Sequence, residues 1–225
     1  ISVQLERRSI IAGAMTLMAC GMLVAAQSLG LPALAAPAKL IASCGFIAVA
    51  VLSDAWRSRY GRIVLAGLVF SWFGDMFLLG EGDTLFLAGL ASFLLAHVAY
   101  ILAFSTYGLS DRWCFSALLP VAVVSMAVSI WLTPFVPDGM LAPVRIYTFA
   151  ISLMVILAFG ARGVGAPVLV PLGATLFYFS DLSVATLQFT STVFPHYVWG
   201  LPFYYTGQLM LALSVSFVRK TDPEP

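Results

Sequence analysis

Apolar runs of roughly 17 to 25 residues, the length a helix needs to cross a bilayer, recur along nearly the whole 225-residue chain. Short breaks carrying charge, proline or glycine separate them. Eight helices are expected, at about 9–29, 36–53, 61–80, 84–106, 114–133, 143–161, 166–187 and 198–218. Only 9% of the residues are charged and 61% are hydrophobic, whereas a soluble domain carries roughly a quarter charged residues. Such a chain cannot cover a water-facing surface. The expected fold class is therefore all-α, a polytopic membrane bundle of eight transmembrane helices forming one integral-membrane domain over 1–225. Arg7 and Arg8 ahead of the first run resemble the basic start of a signal peptide. The run is too long for one, however, and no clear cleavage site followed by soluble sequence comes after it, so it is read as a helix. A chain that opens on Ile1 reads as trimmed at its N-terminus.

The net charge of +1 leaves no basic face, which removes nucleic acid from the plausible partners. Cys20, Cys44 and Cys114 are odd in number and show no CxxC spacing. They read as packing residues, not as a disulfide framework or a zinc site. Orientation follows from Lys and Arg in the short loops. With the N-terminus inside, Arg7, Arg8, Arg57, Arg59, Arg62, Arg112, Arg162, Arg219 and Lys220 are cytoplasmic, and only Lys39 and Arg145 fall outside. Both termini are then cytoplasmic. Trp56 and Trp113 fit an inner aromatic belt and Trp131 and Trp199 an outer one, while Trp72 lies mid-helix and fits neither.

An ionisable side chain inside a span is expensive unless paired or watered, so each is a functional candidate. The candidates are Lys39, Asp75, His97 and Asp181, with Arg145 marginal. Asp75 and Asp181 lie about five residues from the outer ends of helices 3 and 7, or roughly 7 to 8 Å deep at 1.5 Å per residue. Lys39 is read as opening helix 2, Arg145 and Tyr147 as opening helix 6, and Tyr204, Tyr205 and Gln208 lie in the first turns of helix 8. These groups share one leaflet, with His97 and Tyr100 deeper as the floor of any cavity. Helix 4 carries Phe86, Gly89, Phe93, His97, Tyr100 and Phe104 at steps of three and four, one continuous face suited to an amphiphile. Ser71 and Asp75 are i and i+4 neighbours on helix 3, and Ser180 adjoins Asp181. Phe73-Gly74-Asp75 and Phe179-Ser180-Asp181 occupy equivalent positions four helices apart, the pattern of a parallel four-plus-four repeat. Structural readings stand beside these. His97, Gln208 and the Tyr204-Tyr205 pair also serve as interhelical hydrogen-bond glue, and Arg145 reads best as snorkelling to the interface. The two aspartates are hard to excuse structurally, because few cations are available to them.

At these residues the sequence resembles the YhhN family of membrane lysoplasmalogenases. The matching elements are Lys39, then Gly67-Leu68, Phe70-Ser71 and Gly74-Asp75, then Phe86, Gly89, Phe93, His97 and Tyr100. Gly173-Ala174, Phe177, Ser180-Asp181 and Tyr204-Tyr205-x-x-Gln208 complete them. Helices 1, 5 and 6 contribute little, and Arg145 is not part of the pattern.

The resemblance implies hydrolysis of the vinyl ether bond of a lysoplasmalogen to a fatty aldehyde and a glycerophosphoethanolamine or glycerophosphocholine. That chemistry needs an acid to protonate the β-carbon, an anion to stabilise the oxocarbenium ion, and water. Glycosidases meet a similar demand with two carboxyls in different protonation states. Asp75 and Asp181 are the expected catalytic pair, with no metal and no cofactor required. Lys39 would meet the substrate phosphate and the aromatic face of helix 4, with Phe93, the alkenyl chain. Ser71, His97, Ser180 and Tyr204 would line the substrate site, while Tyr100, Tyr147, Tyr205 and Gln208 would orient the aspartates or the glycerol hydroxyls. The expected partners are a lysophospholipid substrate and the bilayer, in a bacterial inner membrane, with no obligate protein partner. The rival reading is a proton-coupled transporter of a small amphiphile. Transporters commonly break helices at the site, and neither expected helix 3 nor helix 7 has a proline beside its aspartate.

Overall fold

The computed structural model describes residues 7–190, 195 and 197–218. Arg219 and Lys220, which count toward the expected charge asymmetry, lie outside these. Eight long helices follow one another: α1 (Arg7–Ser28), α2 (Pro32–Leu52), α3 (Arg59–Phe77), α4 (Asp83–Ser105), α5 (Asp111–Leu132), α6 (Asp138–Arg162), α7 (Leu169–Phe189) and α8 (Tyr197–Val218). No strand occurs among the described residues. Connections are short, so successive helices run antiparallel, and the most extensive packing is within α1/α2, α3/α4, α7/α8 and α5/α6. Among the described residues six helices are long and apolar enough to cross a membrane: α1, α2, α4, α5 with the turn after it, α6 and α7. The protein is an integral, multi-pass membrane protein.

The ends of two helices differ from the sequence expectation, for one reason. Pro37 and Pro143 read as punctuation near the starts of helices 2 and 6, yet α2 begins at Pro32 and α6 at Asp138, with both prolines inside the helix. Each proline is the sixth residue of its helix, past the N–H groups that lack intrahelical partners, so each forgoes one i→i−4 bond, a loss that helices packed within a membrane bundle tolerate. Lys39 and Tyr147 consequently sit two turns or more inside their helices rather than opening them. At the start of α4, Gly82 takes φ 94°, a conformation that L-residues rarely adopt, and turns the chain in from the α3 end.

The interior is asymmetric. One large core joins buried residues of α1–α4 and α6–α8, including Phe46, Leu68, Tyr100, Phe104, Met154, Phe177, Tyr205 and Leu211. Helix α5 lies at its edge, with Val121 packed against it: only Ala117 and Leu132 are buried along its length, and Phe115, Leu119, Met126 and Ile130 face outward. Close helix approach rests on small residues. A Cβ on Gly173 would stand 2.9 Å from the Gly207 carbonyl oxygen, and one on Gly74 would stand 2.6 Å from the Phe93 ring. Of the three cysteines, Cys20 is buried, Cys114 half-buried and Cys44 exposed. The packing role expected for all three holds for Cys20 and fails for Cys44, which the α2 surface turns outward.

Candidate active site

Polar side chains that would be costly in hydrocarbon gather at the end of the bundle formed by the C-termini of α3 and α7 and the N-termini of α2, α4, α6 and α8. Helix α2 brings Lys39 and Ser43 one turn apart on a single face, both buried. Opposite them stands Asp75 of α3, 3% exposed. Lys39 Nζ lies 3.5 Å from Asp75 Oδ1. The Ser43 hydroxyl donates to Asp75 Oδ2 at 2.6 Å and the Tyr204 hydroxyl of α8 donates to the same oxygen at 2.8 Å. This carboxylate thus has one ammonium and two hydroxyl donors. Charge-assisted bonds of this kind are the strong ones, and here they tie α2, α3 and α8 together at one point.

Asp181 of α7 is built differently. The Tyr147 hydroxyl of α6 donates to Asp181 Oδ2 at 2.5 Å. His97 Nε2, from α4, lies 3.5 Å from the same oxygen, too far for a good hydrogen bond. His97 is fully buried and neither ring nitrogen has a hydrogen-bond partner; its ring is wedged between Tyr147 and Phe177, centroids 4.9 and 4.7 Å away. No lysine or arginine of the described residues pairs with Asp181.

Both aspartates open onto one cavity of about 400 Å³, within the size range of small-molecule sites. Lys39, Phe93, Ser180 and Tyr204 line it with them, and Glu81, Asp83 and Tyr197 stand at its rim. A second, apolar cavity of about 80 Å³ meets the first at Asp181, Phe86 and Phe93 and runs among α4, α5, α6 and α7 past Tyr147, Ile151 and Tyr178.

Residues 34–215 match the model of the YhhN family. The chain belongs to the YhhN family. The matched span begins just before Lys39 and ends in α8 after Gln208, so it contains every side chain named above. Among curated relatives, the chain is 31% identical over 166 residues to "Lysoplasmalogenase TMEM86A" of Bos taurus, covering 71% of this chain and 67% of the relative. It is 30% identical over the same length to the Homo sapiens protein of that name, with the same coverage. No solved structure matches.

Within this YhhN chain, six residues expected at the site line the large cavity: Lys39, Asp75, Phe93, Ser180, Asp181 and Tyr204. Tyr147 lines the apolar one. The others lie a layer deeper. Tyr100 donates to Gln208 at 2.7 Å and Gln208 donates to the Ser71 hydroxyl at 3.0 Å, a closed polar chain that joins α4, α8 and α3 beneath the cavity. The Tyr205 hydroxyl lies 3.2 Å from the Ser43 hydroxyl, behind Asp75. His97, expected as a cavity floor, lines neither cavity and sits behind Asp181. Arg145 is exposed, beside Leu141 and Thr148, away from the aspartates. Sequence reasoning missed Ser43, although its i+4 spacing from Lys39 was available as a signal. The cavity-lining residues Glu81 and Asp83 are likewise absent from the sequence-derived candidates.

Proposed function

We propose that the protein is a lysoplasmalogenase, hydrolysing the vinyl ether of a lysoplasmalogen with Asp181 as the acid and Asp75 as the carboxylate. The observation that carries this reading is the unequal surroundings of two carboxyls on one cavity. Asp75, with the Lys39 ammonium and two hydroxyl donors, suits the anion. Asp181, with no cation beside it and an apolar cavity at its flank, suits the proton donor. The names of the mammalian relatives support the substrate class.

In this scheme Asp181 transfers a proton to the β-carbon of the vinyl ether, and the adjacent carbon and ether oxygen share the resulting positive charge. The Asp75 carboxylate faces that charge and then takes a proton from the attacking water. The hemiacetal collapses, its C–O bond to glycerol breaking, to a fatty aldehyde and the free glycerol hydroxyl, and the proton taken from water restores the acid. Lys39, Glu81 and Asp83 together bring both signs of charge to the cavity lining, a composition suited to a zwitterionic phosphoethanolamine or phosphocholine head. The apolar cavity receives the start of the chain. Helices α3 and α7 run unbroken through Asp75 and Asp181, which speaks against a carrier with unwound helices at its site.

Eight crossings with both termini cytoplasmic place this cavity toward the outer face of a cytoplasmic membrane. The expected result of cysteine labelling is that Asp83→Cys reacts with an impermeant reagent from outside; reaction only from the cytoplasmic side overturns the orientation. Incubating the purified protein with lysoplasmalogen should release free aldehyde. Uptake of the intact lipid into sealed proteoliposomes, without aldehyde, would instead establish a carrier.

A further inference from the structure

Beyond the two cavities at the site, the described residues form a groove of about 320 Å³ on the lipid-facing side, between α5 and α7. Its α5 wall is Trp113, Ala117, Val121 and Val124; Val155 and Phe159 of α6 form its floor and Phe179 stands on its α7 side. The groove exists because α5 packs on α6 and α6 on α7, while α5 and α7 share no extensive contact of their own. From Trp113 to Val124 it spans roughly 16 Å at 1.5 Å per residue, close to the roughly 15 Å of one leaflet's hydrocarbon. One residue belongs to both this groove and the apolar cavity at Asp181: Tyr178. Its hydroxyl lies 2.8 Å from the Ser125 hydroxyl, which lies 2.7 Å from that of Ser152, so a three-hydroxyl bridge across α7, α5 and α6 stands where the two spaces meet.

We propose that the groove is the distal half of the binding track for the substrate's alkenyl chain, with Tyr178 at the passage between halves. This rests on the lysoplasmalogenase reading. A vinyl ether held at Asp181 points its chain into the apolar cavity, which at about 80 Å³ is too small for a whole membrane-lipid chain. The continuation past Tyr178 lies along the α5/α7 groove, a length suited to one chain, with Trp113 lining it at the α5 N-terminal end. The substrate class that fits is a long, unbranched monoalkenyl lipid, with the groove setting preference among chain lengths. The Tyr178–Ser125–Ser152 bridge holds the passage in shape and takes no part in the chemistry.

The test compares hexadecenyl and octenyl lysoplasmalogens on the purified protein. Val124→Trp fills the groove from a position that already faces lipid, and Thr175→Phe fills it from α7 should the first variant fail to assemble. Val123→Trp adds the same bulk on the same helix outside the groove. The groove-filling variants should lower kcat/KM for the hexadecenyl substrate by about tenfold or more while leaving the octenyl substrate within about twofold, and Val123→Trp should change neither. Equal loss on both chain lengths, or no loss on the longer, overturns the track although hydrolysis itself stands. Wild-type protein that releases aldehyde from neither substrate overturns the hydrolase reading and the track with it.

Discussion

Helices α1–α4 and α5–α8 are related by a sequence offset that makes the two aspartates matching points, yet the surroundings of the two differ. The 106-residue offset between Asp75 and Asp181 also relates Gly67 to Gly173 and Lys39 to Arg145. Part of the packing matches: α2 packs against α3 and α8, as α6 packs against α7 and α4, whereas the contacts of α8 with α1 and α3 have no comparable counterpart between α4 and α5 or α7. Asp75 accordingly takes one hydroxyl from α2 and one from α8. Asp181 takes one hydroxyl from α6 and faces an imidazole from α4. The halves differ in charge. Lys39 turns inward to Asp75, while Arg145 at the matching position is exposed. Two like carboxyls on one cavity are thus made unequal by one cation, the inequality on which the proposed acid and base roles rest.

Removing each carboxyl tests that asymmetry most severely. Asp181→Asn should lower kcat by about 10²–10⁴, the usual worth of a general acid, with little change in detergent melting temperature, because no cation loses its partner. Asp75→Asn should abolish activity comparably and also destabilise the fold by about 3–5 kcal/mol, since it strands a mostly buried ammonium. Lys39→Met should destabilise in the same range, and Lys39→Met with Asp75→Asn by less than the sum of the two, a coupling read from thermal unfolding of the four proteins. Equal melting temperatures for Asp75→Asn and Asp181→Asn would end the distinction drawn between the halves.

Next in size are changes at the helix pairs that hold the halves. Gly173→Ala should cost about 1–3 kcal/mol as an overpacked contact, because its Cβ meets the Gly207 carbonyl of the neighbouring backbone, which cannot rotate away. Gly67→Ala meets the Tyr100 ring instead, a side chain fixed by its bond to Gln208, so its penalty should include loss of that bond. Smaller again are the phenolic donors. Tyr147→Phe and Tyr204→Phe each remove one hydroxyl from an aspartate, and each should lower kcat about tenfold, the effect of about 1.4 kcal/mol. Tyr204→Phe should be the milder, because Ser43 still donates to Asp75 at 2.6 Å, whereas Asp181 keeps only the Ser180 hydroxyl and His97, each 3.5 Å away.

These comparisons also separate what the sequence made legible from what it did not. Apolar run length revealed the helices, and the cost of charge in hydrocarbon singled out Asp75, Asp181 and Lys39 before any packing was known. The expected starts at 36 and 143 fall several residues late, because proline reads as a boundary while a packed membrane helix can carry it in its interior. Whether His97 lines the cavity or stands behind Asp181 depends on how α4 meets α6 and α7, a tertiary contact with no local signature. The same holds for the split between Tyr204, which bonds Asp75, and Tyr205, its chain neighbour, which lies against Ser43. Adjacent helical residues point about 100° apart, and only the positions of α2 and α3 decide which one reaches the carboxylate.

The smallest expected effect concerns Arg145, and the comparison makes it informative. By offset alone Arg145 is the counterpart of Lys39 and would belong beside Asp181. Its side chain is exposed instead, near the apolar Leu132, Val136 and Leu141 and the Thr148 hydroxyl, with no ion pair to a carboxylate among the described residues. An exposed cation of this kind contributes little to stability, and its long stem suits the membrane interface. Arg145→Met should therefore leave kcat, KM and melting temperature close to wild type, with kcat/KM within about twofold. The measurement is steady-state aldehyde release from lysoplasmalogen beside the Lys39→Met protein under the same conditions. A loss at Arg145 as large as that at Lys39 would mean that each aspartate has its own cation during turnover. In that case Asp181 would no longer be the uncompensated carboxyl, and the assignment of Asp181 as the acid would fall.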